Sequence, residues 1–204
     1  MEVTIAVATF GEEYWITLAR RRAILSARDQ GAPVLHLHGE TLAGARNACL
    51  AAAETEFVIF CDADDSLGAG YVEAMATGSA DLRAPAVTYV QPNGRASGPR
   101  VPRVVNHEHD CEGECLLEGN FIAIGAAARR ELLIEVGGFR EWPAWEDWEI
   151  FLRCYLAGAS TESIPSAIYR AHVRRDSRNT GFDQRFADRL HRRILEANLP
   201  ELAA

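Results

Sequence analysis

Hydrophobic residues follow two alternating patterns in the N-terminal part of the chain. Nearly continuous apolar runs at Val3–Thr9, Pro33–Leu37 and Phe57–Cys61 predict buried strands. Between them, Glu13–Arg28 and Leu42–Ala53 carry apolar residues at roughly helical spacing and predict helices. Strands that alternate with helices predict an α/β fold, with a mixed, mostly parallel sheet and helices on both faces.

The second half of the sequence is less regular. Leu82–Val90 predicts a strand, and Gln91-Pro92-Asn93-Gly94 predicts a hairpin turn after it. Nothing resembling a linker or repeat divides the chain, which favours one domain over residues 1–204. The later runs predict strands at Phe121–Ile124 and Ala167–His172, and helices at Ala126–Val136, Glu146–Ala157 and Phe182–Ala197.

The net charge of the chain and its distribution limit the classes of partner that it can bind. A net charge of −8 argues against a protein that covers nucleic acid with its whole surface. Arginines nevertheless crowd the C-terminal fifth, where they could face phosphates, an anionic membrane surface or a polyanionic acceptor. A solvated helix face is an equal alternative. These arginines are Arg170, Arg174, Arg175, Arg178, Arg185, Arg189, Arg192 and Arg193.

Several features of the sequence favour a location in the cytoplasm. The chain starts directly into a strand, without the basic and apolar regions of a signal peptide. It contains no apolar run near the ~20 residues that a transmembrane helix needs. Five cysteines, an odd number, fit a reducing compartment, and Cys49, Cys61 and Cys154 lie on apolar faces that predict core positions.

Three carboxylates follow the third predicted strand, in the segment Asp62-Ala63-Asp64-Asp65. Ligands of parallel α/β sheets bind at the carboxyl ends of strands, where this segment lies. Clustered acids repel one another unless a cation lies between them, and a hard divalent ion takes one or two carboxylates together with substrate phosphates. The alternative is an acidic loop that caps a helix after Ser66.

A second cluster combines aromatic and acidic residues. Trp142, Trp145 and Trp148 could offer flat faces to a sugar ring, and a carboxylate of Glu146-Asp147 beside them could act as a general base. The structural alternative is an acidic helix N-terminus, whose dipole should hold the carboxylate ionised. Arg46, on the helix before the acidic strand, could give a bidentate contact to phosphate or a base carbonyl, or lie at the surface.

The order of these motifs resembles the family-two glycosyltransferases of the GT-A fold, over about residues 3–173. The resemblance rests on Val3–Phe10, Gly44-Ala45-Arg46-Asn47, Asp62-Ala63-Asp64-Asp65, Gly137-Gly138-Phe139 and Glu146-Asp147-Trp148. It implies inverting transfer of a sugar from a nucleoside-diphosphate sugar to an acceptor hydroxyl, with Mn²⁺ or Mg²⁺ at the diphosphate. A donor-binding half at about 1–95 would precede an acceptor-binding and catalytic half at about 96–204.

The resemblance also implies roles for individual residues. Asp147 is the expected catalytic base. The family's acidic turn after the second strand is replaced by His36-Leu37-His38-Gly39-Glu40, which leaves the nucleotide base open. Expected donor contacts are Thr9, Phe10, Glu40, Arg46, Asp62, Asp64 and Arg170; expected acceptor contacts are Asn120, Trp142, Trp145, Glu146 and Trp148; expected metal ligands are Asp64, Asp65 and His172.

Alternatives remain for the function, the acceptor and one loop. The chain could be a non-catalytic nucleotide- or carbohydrate-binding domain, or a metal-dependent nucleotidyltransferase. The latter should have a basic, glycine-rich loop after the first strand, and Thr9-Phe10-Gly11-Glu12-Glu13 is acidic. The acceptor could be carbohydrate, lipid-linked, protein or polyanionic, nucleic acid included. His107–Cys115 has two His and two Cys but is too tightly spaced for a typical zinc site, so a polar loop is favoured.

Overall fold

The computed structural model describes residues 1–102, 116–174 and 182–199. Within these residues the chain forms a seven-stranded sheet with helices packed around it. The elements are β1 (Val3–Phe10), α1 (Glu13–Arg21), α2 (Ala23–Arg28), β2 (Val34–Gly39), α3 (Leu42–Ala52), β3 (Phe57–Phe60), β4 (Ser66–Leu67), α4 (Tyr71–Met75), β5 (Leu82–Val90), β6 (Ala127–Arg129), α5 (Arg130–Glu135), α6 (Glu146–Leu156), β7 (Thr161–His172) and α7 (Gln184–Asn198).

The strand order of the sheet is β2-β1-β3-β6-β5-β7-β4. β1 pairs in parallel with β2 and β3, and β5 pairs in parallel with β7. The antiparallel pairs, which involve β6 and β4, are shorter. The sheet is therefore mixed and mostly parallel, and the predicted α/β fold class is confirmed.

The carboxyl ends of the first three strands meet at one edge of the sheet. Phe10 at the end of β1 pairs with Gly39 of β2, and Phe60 at the end of β3 pairs with Ala6 of β1. The backbone N–H of Cys61 extends this pairing by donating to the carbonyl of Ala6 at 2.9 Å. The acidic segment therefore leaves the sheet at the edge where the sequence places it.

One helix predicted as continuous, over Glu13–Arg28, is two helices. The break is at Arg22, whose backbone leaves the helical region at φ −129° and ψ −78°. Its guanidinium donates a hydrogen bond of 2.7 Å to the backbone carbonyl of Asp64. The helix thus breaks at the residue whose side chain binds the acidic segment, although the local sequence pattern is helical.

The segment before α5 also differs from the prediction. Phe121–Ile124 forms no strand, and β6 begins later, at Ala127. Because Ala127–Arg129 pairs with both β3 and β5, the helix predicted from Ala126 starts only at Arg130. Pairing with distant strands has overridden the local helical pattern.

The three cysteines predicted to be buried lie in the core with free thiols: Cys49, Cys61 and Cys154. Burial raises the pKa of Cys49 to about 11 and that of Cys154 to about 12, so both thiols stay protonated at neutral pH. The predicted core role is confirmed. In the described ranges, every helix is too short or too polar to cross a bilayer.

Candidate active site

The acidic segment turns sharply as it leaves β3. The backbone N–H of Asp65 donates to the carbonyl of Asp62 at 2.9 Å, which closes the turn. The hydroxyl of Tyr169 on β7 lies beneath it, accepting from the N–H of Asp62 at 3.2 Å and donating to Asp65 Oδ2 at 2.8 Å. β7 thereby fixes the position of the whole acidic turn.

Asp65 has a structural role in this turn. Its second oxygen, Oδ1, accepts from the backbone N–H of His172 at 2.8 Å, so both carboxylate oxygens are bound to β7. Burial, together with the charges of Asp62 and Asp64, raises the pKa of Asp65 well above its ordinary value. Both carboxylate oxygens thus hold the turn on the sheet, and the expected role of Asp65 as a metal ligand stays a prediction.

Asp62 forms a short ion pair with a buried arginine. Its Oδ1 accepts from Arg46 Nη2 at 2.7 Å, and the side chain of Arg46 is only 3% exposed. Burial would lower the pKa of Arg46, but the carboxylates of Asp62, Glu146 and Asp147 outweigh it and the pKa is raised. Arg46 is thus a buried cation shared by the acidic turn and by the start of α6, rather than a surface residue.

Asn47 explains the Gly137-Gly138-Phe139 motif. Its amide donates to the carbonyl of Phe139 at 2.8 Å and accepts from the N–H of Phe139 at 2.7 Å. This two-point contact fastens α3 to the segment before α6 and places the Phe139 ring 5.2 Å from the guanidinium carbon of Arg46. The paired motifs therefore hold the buried arginine in place.

Gly138 cannot carry a side chain in this arrangement. Its φ is +69°, and a Cβ would lie 2.5 Å from Asn47 Oδ1. Gly138→Ala should therefore destabilise the fold by about 2 kcal/mol, through left-handed strain and loss of the Asn47 contact. Chemical denaturation measures this loss. Gly158→Ala is the matched control, because Gly158 also has a positive φ, +90°, but nothing lies within 4 Å of its Cβ position. Equal losses in the two variants would show that the Asn47 contact contributes nothing.

Asp147 lies in the first turn of α6, half-buried at the wall of a cavity. Its Oδ1 accepts from the N–H of Trp148 at 2.9 Å and from Asn120 Nδ2 at 3.1 Å. Burial raises the pKa of Asp147; the charge of Asp62 adds to this, while Arg46 and both hydrogen bonds oppose it. The helix start alone favours the ionised carboxylate, and burial acts in the opposite direction.

The cavity beside Asp147 has a volume of about 220 Å³. Its wall joins the acidic turn to α6, since Asp62, Asp65, Asn120 and Asp147 all line it. The segment predicted as a strand, Phe121–Ile124, supplies its apolar side. Four predicted site residues from three separate regions of the sequence therefore meet here.

Glu149, another acid in the first turn of α6, is too deeply buried to act as the base. It is fully buried, and its two oxygens bind Arg153 at 2.8 and 2.7 Å. Arg153 in turn donates to the carbonyls of Val136 and Gly138, so the pair fixes the turn before α6. Removing one partner of such a buried pair typically costs about 3–5 kcal/mol, which makes its role structural.

Of the five expected acceptor residues, two are inaccessible, a third packs on the core, and Asn120 and Trp145 remain accessible. Trp148 is 0% exposed and donates its indole N–H to the carbonyl of Leu116 at 2.7 Å, and Glu146 is 4% exposed. Trp142 packs on the core with the Arg193 guanidinium 5.8 Å from its ring. Trp145 is half-buried and is an accessible tryptophan of the site.

The comparison with known sequences identifies the family. The profile described as glycosyl transferase family 2 matches residues 17–138, more than half of the chain. The chain belongs to glycosyl transferase family 2. No curated protein sequence matches it. Membership makes this chain a glycosyltransferase in general terms and removes the nucleotidyltransferase alternative.

Solved structures of TarS from S. aureus share the fold of this family-2 chain. TarS 1–349 in complex with UDP-GlcNAc matches with a TM-score of 0.66 at 18% identity, covering 100% of this chain and 69% of that one. TarS 1–349 in complex with UDP matches at 0.63 and 17%, covering 98% and 72%. A longer TarS structure matches at 0.61 and 18%, covering 96% and 43%. At these identities the likeness shows the fold.

Asp64 has a different environment from its two acidic neighbours. Its Oδ2 lies 3.9 Å from Arg174 Nε, and the Arg174 guanidinium packs 4.8 Å from the ring centre of Trp15. Burial and the charge of Asp62 raise the pKa of Asp64, whereas Arg174 and Arg22 lower it. The arginines were not expected as neighbours of Asp64, because only the folded chain brings α1 and the end of β7 to the acidic turn.

The acidic turn fits a divalent ion of the kind that phosphates complete. No three His, Cys, Asp or Glu side chains of the described residues converge as a ready-made metal cage. Mg²⁺ usually takes only one or two carboxylates and retains water or phosphate oxygens. Asp64 offers such a carboxylate, while the imidazole of His172 is bonded to Ser66 Oγ at 3.2 Å through Nε2. Burial, followed by Arg22 and Arg170, lowers the pKa of His172 and keeps it neutral.

The remaining expected donor residues are less closely tied to the cavity. The hydroxyl of Thr9 is buried and bonded to His36 Nε2 at 3.0 Å and to His38 Nδ1 at 3.1 Å. Phe10 is half-buried at the end of β1. Glu40 and Arg170 are exposed, and Arg170 pairs with Ser66 across β7 and β4. His107–Cys115, Arg175 and Arg178 lie outside the described residues.

Proposed function

We propose that this chain transfers a sugar from a nucleoside-diphosphate sugar to an acceptor hydroxyl by inverting single displacement. The observation that carries the proposal is the cavity that brings Asp62 of the acidic turn together with Asp147 of α6. One wall can bind the donor while the other holds a base. Membership in glycosyl transferase family 2 supports this division of roles.

Asp147 is the proposed general base. Its Oδ1 is held by Asn120 and by the N–H of Trp148, and within the described residues no hydrogen bond occupies Oδ2. Oδ2 takes the proton of the acceptor hydroxyl as that oxygen attacks the anomeric carbon. The bond from that carbon to the diphosphate breaks on the opposite face, so the configuration inverts. Because Asn120 and the N–H of Trp148 both bind Oδ1, they orient the carboxylate and leave Oδ2 available as the base.

Asp62 and Asp64 form the donor side of the proposed site. Arg46 holds Asp62 in position, and Asp64 points toward Arg174 instead of into the sheet. A divalent ion bound by Asp64 and the diphosphate would neutralise charge on the leaving group. Arg174 lies where it can contribute a second positive charge, and the buried Arg46 acts through Asp62 instead of reaching the phosphates.

Nucleotide sugars that bind more tightly should stabilise the protein more, as the logarithm of their excess over Kd. The TarS structures hold UDP and UDP-GlcNAc, which makes UDP-sugars the first compounds to test. At a hundredfold excess over Kd a bound donor stabilises by about 2.7 kcal/mol, so the correct donor should stand out in a thermal-denaturation panel with Mn²⁺. Asp64→Ala is the control that should lose the shift. A panel in which no nucleotide sugar raises Tm would argue for a domain that no longer binds donors.

A further inference from the structure

A second groove opens beside the catalytic cavity. Its volume is about 550 Å³, and α7 forms one wall through Gln184, Ala187, Asp188 and His191. Tyr89 and Asn120 line both this groove and the cavity of Asp147. The residue that orients the proposed base therefore also forms the edge of the groove. A molecule bound in the groove can place a hydroxyl beside Asp147.

Aromatic side chains give the groove a surface suited to a sugar ring. Trp145 and Tyr89 line it, and Trp145 contacts Trp148 edge-to-face, with ring centroids 5.9 Å apart. Trp145 has a φ of +63°, the only positive φ at a non-glycine residue of the described chain. A bulky residue in the left-handed region is strained, and such strain often accompanies a functional position. With this backbone conformation, the indole of Trp145 lies at the groove wall.

His191 adds a polar group to the same wall. Its ring stacks on Trp148, with centroids 4.8 Å apart and an angle of 14° between the planes. Its Nε2 is buried and has no hydrogen-bond partner among the described residues. A buried polar atom without a partner is costly unless a ligand or water satisfies it. The groove wall thus combines flat aromatic faces with a histidine whose buried Nε2 has no partner among the described residues.

The charge of the groove selects against anions. Among the described residues, the acidic side chains of its lining are Glu118 and Asp188, and the lining contains no arginine. Arg189, the neighbour of Asp188, is exposed on another side of α7 and does not line the groove. A phosphorylated or sulfated acceptor would place its charge against two carboxylates, and like charges brought together cost binding energy. The described part of the groove lining therefore offers two carboxylates and no arginine to a bound polyanion.

We infer that this groove is the acceptor subsite and that it takes an uncharged sugar ring stacked on Trp145, with hydroxyls bound by Asn120, Glu118 and Asp188. The inference rests on the proposed function for its link to transfer. It does not depend on the donor site for binding itself. The groove can therefore be tested with acceptor-like sugars in the absence of donor.

The test uses the methyl glycosides of glucose, galactose and N-acetylglucosamine, each beside its 6-sulfate. Binding to the full chain is measured by saturation-transfer NMR. We expect at least one neutral glycoside to bind and its sulfate to bind more weakly. Trp145→Ala should weaken the neutral glycoside by roughly three- to tenfold. Asp188→Asn should narrow the gap between the neutral and sulfated forms, and Arg189→Gln, one residue away, should change neither.

The outcomes separate the groove from the proposed function. The groove assignment would be overturned if no neutral glycoside bound, or if the sulfates bound more tightly than the neutral forms. It would also be overturned if Trp145→Ala and Asp188→Asn bound the glycosides as the wild type does. Thermal stabilisation by nucleotide sugars is measured on the same variants and should be unchanged, because the groove is separate from the acidic turn. If the wild type bound glycosides but no nucleotide sugar, the proposed transfer would be contradicted. The groove would then be a carbohydrate-binding site without a donor site.

Discussion

Asp147→Asn should slow sugar transfer by about 10²–10⁴-fold, the usual contribution of a general base, while the Kd of the donor stays unchanged. Asparagine keeps the shape of the side chain and can still accept from Asn120 and from the N–H of Trp148. It cannot accept the proton of the acceptor. Transfer to an acceptor, or slow donor hydrolysis, is measured beside donor binding by calorimetry.

Glu146→Gln is the matched control for that experiment. Glu146 is the neighbouring acid in the same turn of α6, but it is buried and does not line the cavity. Its loss should affect transfer much less than the loss of Asp147. A nearly wild-type rate in Asp147→Asn, with unchanged donor affinity, would make Asp147 structural. Glu149 could not replace it, since it is fully buried on Arg153.

The pH dependence of transfer should report the same carboxylate. A base works only when deprotonated, so transfer should fall as pH drops through the pKa of Asp147, which burial raises above its ordinary value. Asp62 adds to the rise, while Arg46, the Trp148 N–H and Asn120 oppose it. Asn120→Ala removes one opposing contact and should move the acidic limb to higher pH. An acidic limb that stays in place in Asn120→Ala would show that another group controls it.

Asp64→Ala should weaken nucleoside diphosphate binding by about 10²-fold in Mn²⁺ and abolish its dependence on the metal, because a bound cation contributes several kcal/mol at such oxygens. Calorimetry with UDP in Mn²⁺ and in chelator measures both effects. Asp65→Asn is the informative comparison. Asp65 binds Tyr169 and the N–H of His172, so its replacement should lower Tm. The dependence of UDP binding on Mn²⁺ should be largely kept in this variant.

Equal affinity for UDP in Mn²⁺ and in chelator would show that no metal takes part in UDP binding. The structure contains the groups that could act instead, since Arg174 lies 3.9 Å from Asp64 and Arg22 is bonded to its backbone. Charge neutralisation by arginine would then be the mechanism at the leaving group. Arg174→Gln should in that case cost more binding than Asp64→Ala.

The sheet could be predicted from the sequence because its signals are local. Val3–Thr9 and Phe57–Cys61 are apolar runs that no solvent-exposed element tolerates, and the acidic turn follows directly from the end of one of them. The side of the cavity formed by Asp147 was expected from the motif order of a family. The strand signal is thus contained in a few neighbouring positions, whereas the signal for Asp147 is the order of short motifs along the chain.

The role of each acid could not be read in the same way. Asp65 is structural because Tyr169, 104 residues later, reaches its carboxylate. Trp148 and Trp145 look equivalent in sequence, yet Trp148 is fully buried while Trp145 is only half-buried at the groove wall. The wall formed by α7 had no motif at all. Its signal would have been the spacing of Gln184, Asp188 and His191 on one helical face, which is also compatible with an ordinary solvated helix.

The stereochemistry of transfer is the most direct test of inverting single displacement with Asp147 as base. The wild-type chain is incubated with Mn²⁺, the nucleotide sugar that gives the largest thermal stabilisation, and a neutral glycoside acceptor, and the anomeric signals are followed by proton NMR. We predict release of the nucleoside diphosphate and a product whose new bond has the configuration opposite to that of the donor. A product that retains the donor configuration would contradict single displacement with Asp147 as base.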